Sequence, residues 1–205
     1  TAGAMARHLS EPAKAAMDKL EAMQREPELS VFEAAIAEKK TKADEVAAMP
    51  VTQVRGWLRF DCKPAKQALS TWVTKWMFAY TQHLHDNLTS CLELLSAFMA
   101  DVAAGLSNAT EDPAALGEDE LTAAMTHIHA VDLADPDVDE LFEPLRGIVT
   151  LLRKYGIGLS DETVESLERL PYEWEDTRKL TDAAGEMLAD RKLAGGKKIE
   201  ADAEA

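Results

Sequence analysis

Apolar positions recur at steps of three and four residues along most of the chain. The longest run is Leu69, Trp72, Trp76, Tyr80, Leu84, Leu88, Cys91, Leu95, Phe98, Val102 and Leu106, and no Pro or Gly lies between Pro64 and Gly105. Such steps put side chains on one face of an α-helix. The pattern predicts one helix of roughly 40 residues, about 60 Å long at 1.5 Å rise per residue. Upstream, Ser10 is placed to cap a first helix that opens with Glu11-Pro12 and ends before Pro27. Ser30 and Glu33 have capping-box spacing ahead of Val31, Phe32, Ala35 and Ile36, a second helix that ends at Met49-Pro50. Val51 to Phe60 is extended or turn-like, and Gly56 within it marks either a backbone angle that other residues resist or a close backbone approach. Asp61 and Pro64 suit the cap and first turn of the long helix.

Downstream the same logic predicts shorter pieces. Gly105 is a natural helix stop, and Ser107 to Gly117 is a polar connector. A helix follows from Glu118 to about Val131, then a turn at Asp132–Asp139 around Pro136. A further helix carries Leu141, Leu145, Ile148, Leu152 and Tyr155, and Gly156 and Gly158 end it. Ser160 caps a short helix, and Pro171 opens the last, with Trp174, Leu180 and Met187 facing inward. Gly195-Gly196 closes it. The expected organisation is 1–50, an N-terminal helical segment; 51–107, the Gly-Trp-Leu segment and long helix; 108–194, a bundle packed on it; and 195–205, a frayed tail. The expected fold class is all-α, an elongated helical bundle or pair of bundles organised around the long helix from about Pro64 to Gly105.

Charge changes this picture in one respect. The formal net charge of −15 lies wholly in the second half: residues 1–100 hold 12 basic and 12 acidic residues, residues 101–205 hold 10 and 25. Phosphate-backbone binding needs clustered Lys and Arg, so no nucleic-acid partner is expected. No uninterrupted apolar run approaches the ~20 residues that span a bilayer, and no membrane partner is expected. Thr1 to Ser10 has no apolar core of a signal peptide.

Candidate chemistry is sparse. His83/His85 and His127/His129 are two apart, so each pair points to different helix faces, unlike zinc pairs at i and i+4. Asp135/Asp137/Asp139 lacks the central Gly and distal Glu of a calcium loop. Gly195-Gly196-Lys197-Lys198 lacks the earlier Gly and the following Ser or Thr of a phosphate loop. Cys62 and Cys91 have neither metal nor redox spacing. No catalytic, cofactor or metal residues are predicted. The four tryptophans, Trp57, Trp72, Trp76 and Trp174, are read as packing residues between helices, with Trp57 locking the extended segment against the long helix.

Gly56-Trp57-Leu58, Asp61, Pro64, Lys66, Ala68-Leu69, Trp76 and His83-Leu84 resemble a segment in the stem of axonemal dynein heavy chains. Phe142-Glu143-Pro144-Leu145, Leu151-Leu152, Tyr155-Gly156, Leu170-Pro171, Trp174 and Lys179-Leu180 follow in the family's order. The resemblance covers roughly Val54 to Leu180. It implies a force-bearing stem segment of an outer-arm-type microtubule motor in the axoneme of cilia or flagella, upstream of the linker and motor. It also implies neighbouring heavy-chain stems, intermediate chains and light chains as partners, and ATP sites outside this segment. Gly56, Trp57, Leu58, Asp61, Pro64, Trp72, Trp76, His83, Phe142, Pro144 and Trp174 are the structural or interface candidates. The rival reading is a free-standing acidic helical adaptor that binds a basic protein through its second half.

Overall fold

A computed structural model describes residues 9–111 and 116–203. The described chain is built of helices α1 (Glu11–Gln24), α2 (Leu29–Ala48), α3 (Lys63–Glu111), α4 (Glu118–Lys154) and α5 (Asp161–Ala203), and strands β1 (Thr52–Arg55) and β2 (Leu58–Asp61). It is an all-α fold, as expected. It divides into two compact units. The first takes residues up to Arg25, Ser90–Glu143 and the chain from Asp161; the second takes Glu26–Thr89 and Pro144–Ser160.

In the first unit, α1 starts where the sequence predicts. Ser10 Oγ accepts the Ala13 N–H at 3.3 Å and donates to Asp101 Oδ2 of α3 at 2.5 Å. The core holds Leu95, Phe98, Val102 and Leu106 of α3, Val131, Ala134, Val138 and Leu141 of α4, and Leu167, Leu170, Trp174 and Leu188 of α5. Trp174 is its centre, 1% exposed, with its ring 6.1 Å from Phe98. Its indole N–H donates to Asp135 Oδ1 at 3.1 Å. Arg178 joins the same carboxylate at 3.1 Å and reaches Asp139 and Glu175. That network holds α4 to α5. A hydrogen bond from Arg178 is the first cause of a lowered Glu175 pKa, and the same bond raises the guanidinium's own.

Several predicted breaks are absent. α3 passes through Gly105, because that glycine is a packing site rather than a stop: a Cβ there would lie 2.3 Å from Nε2 of the His127 ring. α4 runs unbroken through Pro136 and Pro144, and α5 through Pro171 and on past Gly195-Gly196 to Ala203. A helix-interior Pro forfeits one backbone bond. In α4 the continuous buried series from Ala130 to Leu152 outweighs that loss. Leu188, not Met187, faces inward at the end of the α5 seam.

In the second unit, α2 starts at Leu29 with Glu28 at the cap position and no side-chain cap bond. The expected capping box does not form, and Glu33 pairs with Lys154 of α4 at 2.5 Å instead. Ile36, Val46, Leu84, Leu88, Leu145, Ile148 and Leu152 are buried. Gly147 admits Leu29, whose Cδ2 would lie 2.7 Å from an added Cβ. α4 ends as predicted at Gly156, whose φ is +74°. The Ile157 N–H donates to Leu152 O and the Gly156 N–H to Arg153 O, both at 3.0 Å, the two bonds of a Schellman cap.

One finding runs against the sequence reading of hydropathy. Within Lys63–Ser107, α3 has a window of mean hydropathy 1.3, long and apolar enough to cross a membrane by composition. The core helix of a soluble bundle meets the same criterion, and α3 buries Leu84 to Leu106 within this fold.

Candidate docking surface

The segment Val51–Phe78 belongs to the second unit and has an unusual surface. β1 and β2 form an antiparallel hairpin in the register Thr52↔Asp61, Gln53↔Phe60, Val54↔Arg59 and Arg55↔Leu58. The loop is two residues, Gly56 and Trp57. Gly56 has φ +61° and, among the described residues, no non-glycine residue has positive φ, the pattern of a type II′ turn. Nothing lies within 4 Å of a Cβ built on Gly56, so the glycine serves the turn's backbone angle alone.

Every residue of both strands is exposed. An isolated two-stranded hairpin is marginal in water, and bonds at its base hold this one. The Cys62 N–H donates to Val51 O at 2.8 Å. Asp61 Oδ1 accepts the Lys63 N–H at 2.9 Å, and Pro64 sits in the first turn of α3, as the sequence implies. Lys66 Nζ donates to Ala47 O at 2.7 Å and Met49 O at 2.9 Å, tying the last carbonyls of α2 to the start of α3.

Three of the four tryptophans contradict the packing expectation, which Trp174 alone meets. Trp57, at the hairpin tip, is 90% exposed; Trp72 is 64% and Trp76 51% exposed. Leu69 and Phe78 are exposed as well. Trp57 therefore does not lock the extended segment against the long helix. The cause is register. From Tyr80 onward the predicted seam is the buried seam, but before Tyr80 the half-buried positions of α3 are Lys66, Val73 and Met77. Trp72 and Trp76 each stand one residue before Val73 and Met77, about 100° around the helix. The start of α3 thus carries two apolar stripes, and only one is packed. Trp76 approaches Tyr80 at 6.1 Å, and Tyr80 meets Phe32 of α2 edge-on at 6.5 Å.

His83 lies beside this edge. Phe32 stacks on its ring at 5.7 Å, and Nε2 sits 3.3 Å from Glu26 Oε1 and 3.2 Å from Asn87. It is a packing and pairing residue between the start of α2 and α3. Phe142 is half-buried and Pro144 exposed on α4. Leu58, with Phe60, is among the hairpin's exposed apolar residues. The sequence signal for the surface was present, since Leu69, Trp72, Val73, Trp76, Met77 and Phe78 are too many apolar residues for one stripe.

No group of three or more His, Cys, Asp or Glu residues stands ready for a metal among the described residues. Cys91 is buried, and burial pushes its thiol up to about 12. An open groove of about 430 Å³ runs in the first unit between Met99 and Ala103 of α3 and Arg169 and Thr177 of α5.

A family model described as dynein axonemal heavy chain 2/5/8 coiled-coil matches residues 79–202. Dynein axonemal heavy chain 17 of Homo sapiens is 35% identical over 156 residues, 75% of this chain. The ciliary dynein beta chain of Heliocidaris crassispina is 35% identical over 140 residues, 68% of the chain. The flagellar outer arm dynein beta chain of Chlamydomonas reinhardtii is 28% identical over 199 residues, 82% of the chain. The chain spans 3% of the first two relatives and 4% of the third. The family match begins at Ala79, so the hairpin and the tryptophan stripe precede it.

Proposed function

Because this chain belongs to the axonemal dynein heavy-chain coiled-coil family, we propose that it is a force-bearing segment of a heavy-chain stem that docks other parts of the dynein arm. Its address is the cytoskeleton of a cilium or flagellum. In this reading the parent heavy chain is a microtubule motor ATPase whose ATP sites lie outside this chain. The segment contributes stiffness and attachment rather than chemistry. Load along a bundle is shared by many packed side chains and backbone hydrogen bonds, and the continuous buried seam of α3 suits that task.

The observation that carries the docking part is the second apolar stripe of α3, with Trp72 and Trp76 open to solvent, preceded in the chain by an exposed hairpin. Aromatic residues are enriched at the centres of interfaces. The partners in this reading are a neighbouring heavy-chain stem and the intermediate and light chains. Family membership displaces a free-standing acidic adaptor, and the open apolar surface lies outside the acidic half of the chain.

A photo-crosslinking amino acid placed at position 72 of the parent heavy chain tests this in the assembled arm. Crosslinks to an intermediate chain, a light chain or a neighbouring heavy chain are the expected result. Crosslinks confined to the same polypeptide would contradict the docking role.

A further inference from the structure

Resting on that docking reading, we infer that the tryptophan stripe of α3 receives an acidic amphipathic helix from a separate polypeptide. Two independent features set the chemistry of the occupant. The first is shape. Leu69, Trp72 and Trp76 are spaced as one row along α3, about 10 Å from end to end. Such a row is one half of a helix–helix seam, and the facing half is a helix with apolar residues at the same spacing. The other face of the same stretch, Lys66, Val73 and Met77, is already partly covered. A helix apolar on both sides is one that is buried on both sides.

The second feature is charge. The chain as a whole carries −15, yet residues 50–85 hold five basic residues, Arg55, Arg59, Lys63, Lys66 and Lys75, and one acid, Asp61. Lys66 is engaged by the carbonyls of α2. The side chains of Arg55, Arg59, Lys63 and Lys75 have no partner among the described residues. The hairpin and the start of α3, contiguous in sequence, form a basic, aromatic stretch in an acidic protein, complementary to acidic flanks on an incoming helix. A nucleic-acid strand fits less well. Lys75 is the single basic residue bordering the tryptophans on α3, too few to follow a phosphate backbone.

The test uses the 205-residue chain and two fluorescein-labelled three-heptad peptides. One has Leu at the seam positions and Glu at the flanks; the other has Lys for Glu. Fluorescence polarisation is expected to show the Glu peptide binding at least about tenfold tighter than the Lys peptide, with affinity falling as salt rises. The double variants Trp72→Ala/Trp76→Ala and Arg59→Glu/Lys75→Glu are each expected to weaken it at least about tenfold, with unchanged circular dichroism. Equal or tighter binding of the Lys peptide, still lost in the tryptophan variant, would overturn the acidic helix while leaving the docking role standing. Binding of neither peptide, displacement of the Glu peptide by a single-stranded oligonucleotide, or closure of the stripe by a second copy in sedimentation equilibrium would also overturn it.

Discussion

Four tryptophans of one chemical type occupy two opposite situations here. Trp174 fills the core, stacks near Phe98 and spends its indole N–H on Asp135. Trp72 and Trp76 share a helix with Phe98 yet face solvent. Truncation should separate them. Trp174→Ala is expected to cost about 3–5 kcal/mol, the range for deleting a buried large aromatic, and also strands part of the Asp135 carboxylate. Trp76→Ala removes a half-open ring and one contact to Tyr80, so it should cost about 1 kcal/mol or less. Urea unfolding of the two variants measures both. Comparable losses would mean that the stripe is packed within the chain. Residue identity in the sequence did not reveal this division. Periodicity reports which residues share a face, and it is silent on which of two adjacent apolar faces meets a neighbour.

Most helix caps were legible, the Ser30–Glu33 box of α2 excepted, and helix interruptions were not. Ser10, Asp61 with Pro64, and Gly156 act through bonds to their own chain neighbours, so local sequence contains the whole cause. Gly105 was read locally as a stop, Pro136 as a turn and Pro171 as the start of a new helix, but α3, α4 and α5 run through them. Gly105 is required by a ring 22 positions along the chain, His127, which no local pattern encodes. Pro136 is exposed, between buried Ala134 and Val138. Replacing it with Ala should restore a helical N–H at little packing cost. Pro136→Ala is therefore expected to raise stability by about 1–3 kcal/mol with unchanged helix content. A lower midpoint would show that α4 needs the proline's shape at this point.

Across the whole molecule, the all-α class and the family were readable because both rest on patterns that run for many residues. The site was half readable. Gly56, Trp57, Leu58, Trp72 and Trp76 were singled out from the sequence as structural or interface candidates, with the tryptophans read as packing residues, because the exposed character of the stretch emerges only when the buried face of α3 is known. In the docking reading, one stripe of α3 and the hairpin tip stay open while Trp174 anchors a closed core. The decisive measurement is acrylamide quenching of four variants, each retaining one tryptophan with the others changed to Phe. Strong quenching is expected for Trp57, Trp72 and Trp76, and near-complete protection for Trp174. Protection of Trp72 and Trp76 equal to that of Trp174, in a chain that remains monomeric, would contradict that reading.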